Sequence, residues 1–171
     1  MSNPLYDFFT QDHRRLEELL DKATANKYEV NEEFYHLFRI GILKHIKMEE
    51  KILFPAAQQA NGGVALPLAG KLRLDHGAIT SLMVVPPTQD VIKVLRIILE
   101  EHDELEEKSG GMYDACTKLT TSEASLIMEN LLQSTEVPVH SYNQAAYALE
   151  AAKRALLRAG YDYDALVSAQ R

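Results

Sequence analysis

Cysteine is almost absent from this chain of 171 residues, where Cys116 stands alone. One thiol cannot form an intrachain disulfide, and it cannot build a cysteine-based zinc or iron–sulfur site within one chain. Any metal chemistry therefore falls to histidine and carboxylate. A basic surplus is missing too. The 25 acidic side chains outnumber 18 basic ones, for a formal net charge of -7, so neither nucleic acid nor an anionic membrane surface is an expected partner. Apolar stretches such as Ile97-Ile98-Leu99 fall far short of the roughly 20 residues that cross a bilayer. The opening Met1-Ser2-Asn3-Pro4 shows neither the basic stretch nor the apolar segment of a secretory signal, and a cytoplasmic location is the expectation.

What is present suffices for a full core. A chain that is 46% apolar and 25% charged fits one domain over residues 1–171. Apolar residues recur at helical spacing while strand-like alternation is nearly missing, which predicts an all-α fold. The first helix is expected from Pro4 to about Thr24, with Asn3 as its cap and an inner face of Tyr6, Phe9, His13, Leu16 and Leu20. The second starts after Asn31 and reaches about Phe54 or somewhat past Pro55. Asn61-Gly62-Gly63 breaks the chain. A third helix with Pro67 in its first turn then stops before Pro86-Pro87, carrying Leu72, His76, Ile79 and Met83 on one side. The fourth opens near Thr88 and is expected to continue through Gly110-Gly111 to about Leu119, because Met112, Cys116 and Leu119 keep the period. The expected architecture is an up-down-up-down four-helix bundle over residues 4–119. A helical extension over 120–171 follows, with a short helix to about Gln133 and a longer one from about Val139 to Ala159, ended by Gly160. The extra helices pack on the bundle or pair with a second copy as a homodimer; both arrangements fit.

Two of these helices repeat a motif. His45-x-x-x-Glu49 and His102-x-x-x-Glu106 each place an imidazole and a carboxylate one turn apart on the apolar face. The other two helices echo each other, with Asp12-His13 and Asp75-His76 followed by apolar residues three and seven positions beyond each histidine. Antiparallel packing brings all six polar groups to similar depth. Uncompensated burial of one carboxylate costs several kcal/mol, and an unpaired imidazole about 1–3 kcal/mol. Six such groups exceed the roughly 5–15 kcal/mol by which a domain is stable. Bound cations remove the conflict. Imidazole and carboxylate without thiolate suit iron, manganese or zinc, and paired carboxylates in a helical bundle place iron first.

This pattern of single histidines on helices one and three and His-x-x-x-Glu on helices two and four resembles the hemerythrin-like, His-His-Glu cation-binding family. The resemblance spans about Leu5 to Leu119. It implies two iron ions joined by an oxo or hydroxo bridge, one held by His13 and His45, the other by His76 and His102, with Glu49 and Glu106 bridging. Oxygen-carrying hemerythrins have a fifth histidine one turn from that of the third helix, where this chain offers Leu72 and Thr80, and a longer spacing to a bridging aspartate. Two histidines per iron leave more open positions than a reversible oxygen carrier needs. The expected ligand is a small diatomic molecule, oxygen or nitric oxide, bound by a sensor, scavenger or low-turnover redox protein; whether it is an enzyme stays open. The alternative is a metal-responsive regulatory protein in iron homeostasis whose C-terminal helices bind a partner.

Other candidates read as structural. Glu50 and Glu107 sit about 100° around from the bridging carboxylates and are expected on solvated surface or in salt bridges to neighbouring lysines. His36, about 180° from His45, faces away, and His140 reads as a capping or surface residue. Asp12 and Asp75 are either orienters of ligand histidines or exposed, with exposure the preferred reading. Cys116, about 21 Å along a continuous helix from His102, reads as core.

Overall fold

A computed structural model describes residues 3–170; Met1 and Ser2 of the N-terminal stretch and Arg171 lie outside the described residues. The described residues form helices and no strand, as a helical bundle with further C-terminal helices requires. In chain order the α-helices are α1 (Pro4–Ala23), α2 (Glu32–Met48), α3 (Phe54–Ala60), α4 (Ala69–Leu82), α5 (Gln89–Glu107), α6 (Met112–Leu119), α7 (Ala124–Leu132), α8 (Ala146–Ala159) and α9 (Tyr163–Ser168). No helix is long and apolar enough to cross a membrane among these residues.

The first two helices start where their caps dictate. Asn3 Oδ1 accepts from the Leu5 and Tyr6 amides, and Asn31 Oδ1 accepts from those of Glu33 and Phe34. Each satisfies donors that the first helical turn leaves without an intrahelical acceptor. Between α2 and α3 the chain stays helical but widens into a π-turn over Glu49–Leu53, where the Phe54 amide donates to the Glu49 carbonyl. Pro55 is the local cause: it has no N–H to give to the Lys51 carbonyl, and its ring crowds that carbonyl in a regular α-turn. The predicted second helix is thus interrupted at its carboxylate.

Three expectations need correction. Pro67 precedes the third helix: it occupies a turn closed by the Ala69 amide on the Leu66 carbonyl at 3.0 Å, a position its fixed φ favours. The fourth helix does not run to Leu119. It ends at Glu107, Gly110 adopts φ 76°, and α6 is a separate helix. The long C-terminal helix begins at Ala146, seven residues later than expected, because the Asn143 amide pairs with the Val84 carbonyl at 2.8 Å and its side chain accepts from the Ala145 amide. The chain there is held out of the helix. Gly160 ends α8 at φ 95° as anticipated, and the short α9 follows.

Gly111 is as constrained as its neighbour. A Cβ there would lie 2.6 Å from the Leu105 carbonyl oxygen, 2.8 Å from that of Lys108 and 2.9 Å from that of Glu106. All three are backbone atoms and cannot swing aside. Gly111→Ala is therefore expected to destabilise the protein by about 2 kcal/mol or more in urea unfolding. Gly70→Ala, where nothing lies within 4 Å of the added carbon, is the control, expected to be neutral or to stabilise by up to about 1 kcal/mol. Equal effects of the two changes would contradict the close approach.

The residues group into two compact units. Among the described residues, the first comprises the chain up to Ala69 and Glu104–Val139, the second Gly70–Asp103 and the chain from His140 onward. In the first, α1 packs along α2, and α6 packs on α1 and α3. Its core includes Leu5, Phe9, Leu16, Leu20, Tyr35, Phe38, Leu53, Met112 and Cys116. The stripe Leu5, Phe9, His13, Leu16, Leu20 on α1 is buried at the four- and three-residue spacing of one helix face. In the second unit, Leu72, Ile79 and Leu82 of α4, Val94, Leu95 and Ile98 of α5, and Ala152 and Leu156 of α8 are buried. Two lysines fasten its helix ends: Lys71 Nζ donates to the Ala159 carbonyl at 2.8 Å, and Lys93 Nζ to that of Val167 at 2.7 Å. The C-terminal helices thus divide between the units, α7 in the first, α8 and α9 in the second.

Candidate metal centre

Four of the six predicted ligands meet inside the first unit. His13 comes from α1, His45 from α2, Glu49 from the start of the π-turn and Glu106 from the last turn of α5. One ligand atom of each lies within 4.8 Å of those of the other three. The histidines are 4% and 1% exposed and both carboxylates 0%. The two Nε2 atoms face each other at 3.0 Å. His13 Nε2 is 3.4 Å from Glu106 Oε2, and His45 Nε2 is 3.4 Å from Glu49 Oε1.

The opposite ring nitrogens are anchored. His13 Nδ1–H donates to Glu107 Oε1 at 2.6 Å, and Arg14 Nη2 donates to the same oxygen at 2.5 Å. His45 Nδ1–H donates to Asp12 Oδ2 at 2.8 Å. Protons held on the Nδ1 side leave Nε2 lone pairs directed at each other and at two carboxylates, the arrangement that carboxylate–histidine pairs impose on metal ligands. Two imidazole lone pairs 3.0 Å apart repel unless positive charge lies between them.

The acid–base properties agree. Burial alone would lower the His45 imidazole, but the Glu49 carboxylate and the bond to Asp12 overcome it and raise the group to about 9. Burial pushes Asp12 and Glu107 up, yet their bonds to His45 and Arg15, and to His13 and Arg14, outweigh it and hold both carboxyls below their usual values. This donor set fits a resident metal ion: buried imidazole nitrogen and carboxylate oxygen, with no thiolate.

Two expectations about neighbours are overturned here. Asp12 orients His45 from the adjacent helix; it is not simply exposed. Glu107 is not solvated surface but anchors His13, because α1 lies beside the end of α5. Loss of the Asp12 bond by Asp12→Ala is expected to weaken metal binding about 10- to 100-fold with helical content unchanged. Equal affinity in a metal titration would remove this positioning role.

Sequence reasoning missed Tyr113. It is fully buried, and its hydroxyl donates to Glu49 Oε1 at 2.5 Å with Glu106 Oε2 at 3.0 Å. The same oxygen lies 3.1 Å from His13 Nε2 and 3.3 Å from His45 Nε2. Burial, then the charges of Glu106 and Glu49, hold the phenol well above its ordinary value of 10.0. The signal was the Gly110-Gly111 pair. Read as a helix terminator, it turns the chain back and directs α6 at the centre. Cys116 is core as expected, but the same turn brings it under the influence of Glu49 and Glu106; burial and these charges push its thiol up to about 12, which keeps it protonated and inert.

The other two predicted ligands belong to the second unit. His76 and His102 are buried, with ring centroids 4.8 Å apart. Fully buried Asp75 faces His102 Nδ1 from Oδ2 at a long 3.5 Å and accepts from Lys71 Nζ on Oδ1 at 2.5 Å. The preference for an exposed Asp75 is therefore corrected as well. His36 and His140 are exposed, as expected.

Residues 5–85 match the family model described as the Hemerythrin HHE cation binding domain, a stretch that contains His13, His45, Glu49 and His76. No curated protein and no solved structure matches the chain.

Proposed function

We propose that this chain, whose residues 5–85 match the hemerythrin HHE cation-binding domain model, is a non-haem di-iron protein that binds or senses oxygen or nitric oxide. One observation supports it above all: two fully buried carboxylates stand against two imidazole Nε2 atoms that face each other at 3.0 Å. His13 and His45 would hold one ion with Glu49 and Glu106. The second ion rests on the repeated sequence pattern, in which His76 and His102 would donate and both glutamates would serve as bridges. Bound iron would supply open ferrous positions for a diatomic ligand and up to two electrons between the pair.

The protein's own residues do the rest. Asp12 and Glu107 fix the ring tautomers so that Nε2 presents its lone pair. Glu49 and Glu106 supply negative charge where water cannot screen it. Burial selects ligands by size, since none of these four donors is more than 4% exposed, and larger molecules are shut out. The mixed nitrogen and oxygen donor set suits iron, manganese or zinc, and iron comes first on the paired carboxylates of a helical bundle.

Elemental analysis of the purified protein, with optical spectra of oxidised and dithionite-reduced samples before and after oxygen or nitric oxide, tests the reading. About two irons per chain and a spectrum that responds to either gas are expected. Absence of iron, with no uptake on reconstitution, sinks the proposal. A second reading, a metal-responsive protein that binds a partner or a second copy, is favoured by Leu126 and Leu132 on α7, which are 60% and 72% exposed. It expects self-association or partner capture to change with metal loading, as read by sedimentation.

A further inference from the structure

We propose that Tyr113 is a further protein ligand of the metal ion held by His13, His45, Glu49 and Glu106, contributing its phenolate oxygen. The inference rests on the metal-binding reading above and adds to it a residue outside the doubled histidine–glutamate pattern.

The geometry carries it. Nitrogen or oxygen donors bound at about 2.0–2.2 Å and at right angles about one small cation lie about 3 Å from each other. The Tyr113 oxygen stands 2.5, 3.0, 3.1 and 3.3 Å from Glu49 Oε1, Glu106 Oε2, His13 Nε2 and His45 Nε2. Among those four, His13 and His45 are 3.0 Å apart and each histidine lies 3.4 Å from one carboxylate oxygen, with all four ligand atoms within 4.8 Å of one another. These spacings are those expected of donors that would share one small cation, with the phenolic oxygen among them.

Hydrogen bonding explains this cluster poorly. A phenol has one proton to donate and can serve one of four electron-rich neighbours at a time. Five lone-pair-bearing atoms packed without solvent favour a cation in their midst. The ring is also held in place: it stacks on Phe9 with centroids 5.2 Å apart and meets Tyr6 edge-on at 6.2 Å. The hydroxyl is aimed by packing and does not wander.

Coordination would break the phenolic O–H bond, form one metal–oxygen bond and release the proton to solvent, with no change in oxidation state. A hard anionic oxygen stabilises the trivalent ion over the divalent one. Tyr113 would therefore favour the ferric state of its iron and lower its reduction potential relative to a site lacking the phenolate.

The test is optical and does not depend on turnover. Wild type, Tyr113→Phe and Tyr6→Phe are loaded with ferrous iron, oxidised in air, and compared by iron content, visible absorption and resonance Raman scattering. The wild type is expected to show a phenolate-to-iron(III) charge-transfer band with enhanced tyrosinate ring modes. Tyr113→Phe should retain iron and lose both features, with a raised reduction potential. Tyr6→Phe, whose hydroxyl serves the Glu107 carbonyl, should keep them. Iron-loaded wild type without the band overturns the role of Tyr113 and leaves the metal-binding reading intact. So does a band that survives in Tyr113→Phe. If Tyr113→Phe fails to fold, the wild-type and Tyr6→Phe spectra decide: the band in both supports the proposal, and its absence from wild type, or its loss in Tyr6→Phe, overturns it. Wild type that takes up no iron overturns the metal-binding reading, and this proposal with it.

Discussion

Glu49→Ala is expected to lower metal affinity by about 100-fold or more, since even residues that only orient ligands are worth about 10- to 100-fold. The side chain is fully buried, so no water-borne anion easily replaces its charge. Under the bridging reading, both ions lose occupancy together. Glu49→Gln separates charge from shape: it keeps the volume and an acceptor for the Tyr113 hydroxyl, yet is expected to lose metal nearly as completely. Elemental analysis after dialysis against a weak chelator measures the effect. Full metal content in Glu49→Ala would contradict any ligand role for this residue.

The second large effect is on stability. At a free metal concentration 100 times the dissociation constant, binding to the folded state alone contributes about 2.7 kcal/mol. For a chain of this length that raises the melting temperature by roughly 5–10 °C. The comparison needs matched pH and ionic strength with and without chelator. It also separates a metal protein from a metal-free scaffold. Replacing His45 and His102 together by leucine would stabilise a scaffold, because apolar groups would then fill apolar positions. Here the double substitution is expected to abolish the metal-dependent rise. A melting temperature indifferent to metal in the wild type would count against both functional readings.

Legibility differed from residue to residue. Asn3 and Asn31 were readable as caps because a cap depends on its own side chain and the next three amides. The inward placement of His13, His45, Glu49 and Glu106, part of the six-residue pattern, was readable because each falls on the apolar side of its helical segment, and that side has to face inward. Tyr113 was not. Apolar periodicity on both sides of Gly110-Gly111 looks the same whether the helix continues or turns, and only the positive φ of Gly110 with the crowded Gly111 distinguishes the two. Glu107 was missed, and the orienting role of Asp12 was offered but not preferred, for another reason. Spacing along one helix tells which residues share its face, and nothing about which imidazole a neighbouring helix presents to a carboxylate.

The amino-acid sequence alone determined the all-helical class, the capped starts of α1 and α2, and the residue types able to bind a cation. These follow from local backbone energetics and from the need to bury one face of each helix. Tertiary structure decided the turn after α5, the approach of Tyr113, and the anchoring of His13 and His45 by Glu107 and Asp12. Those contacts join residues from 33 to 100 positions apart, and their energy exists only once the intervening chain has closed.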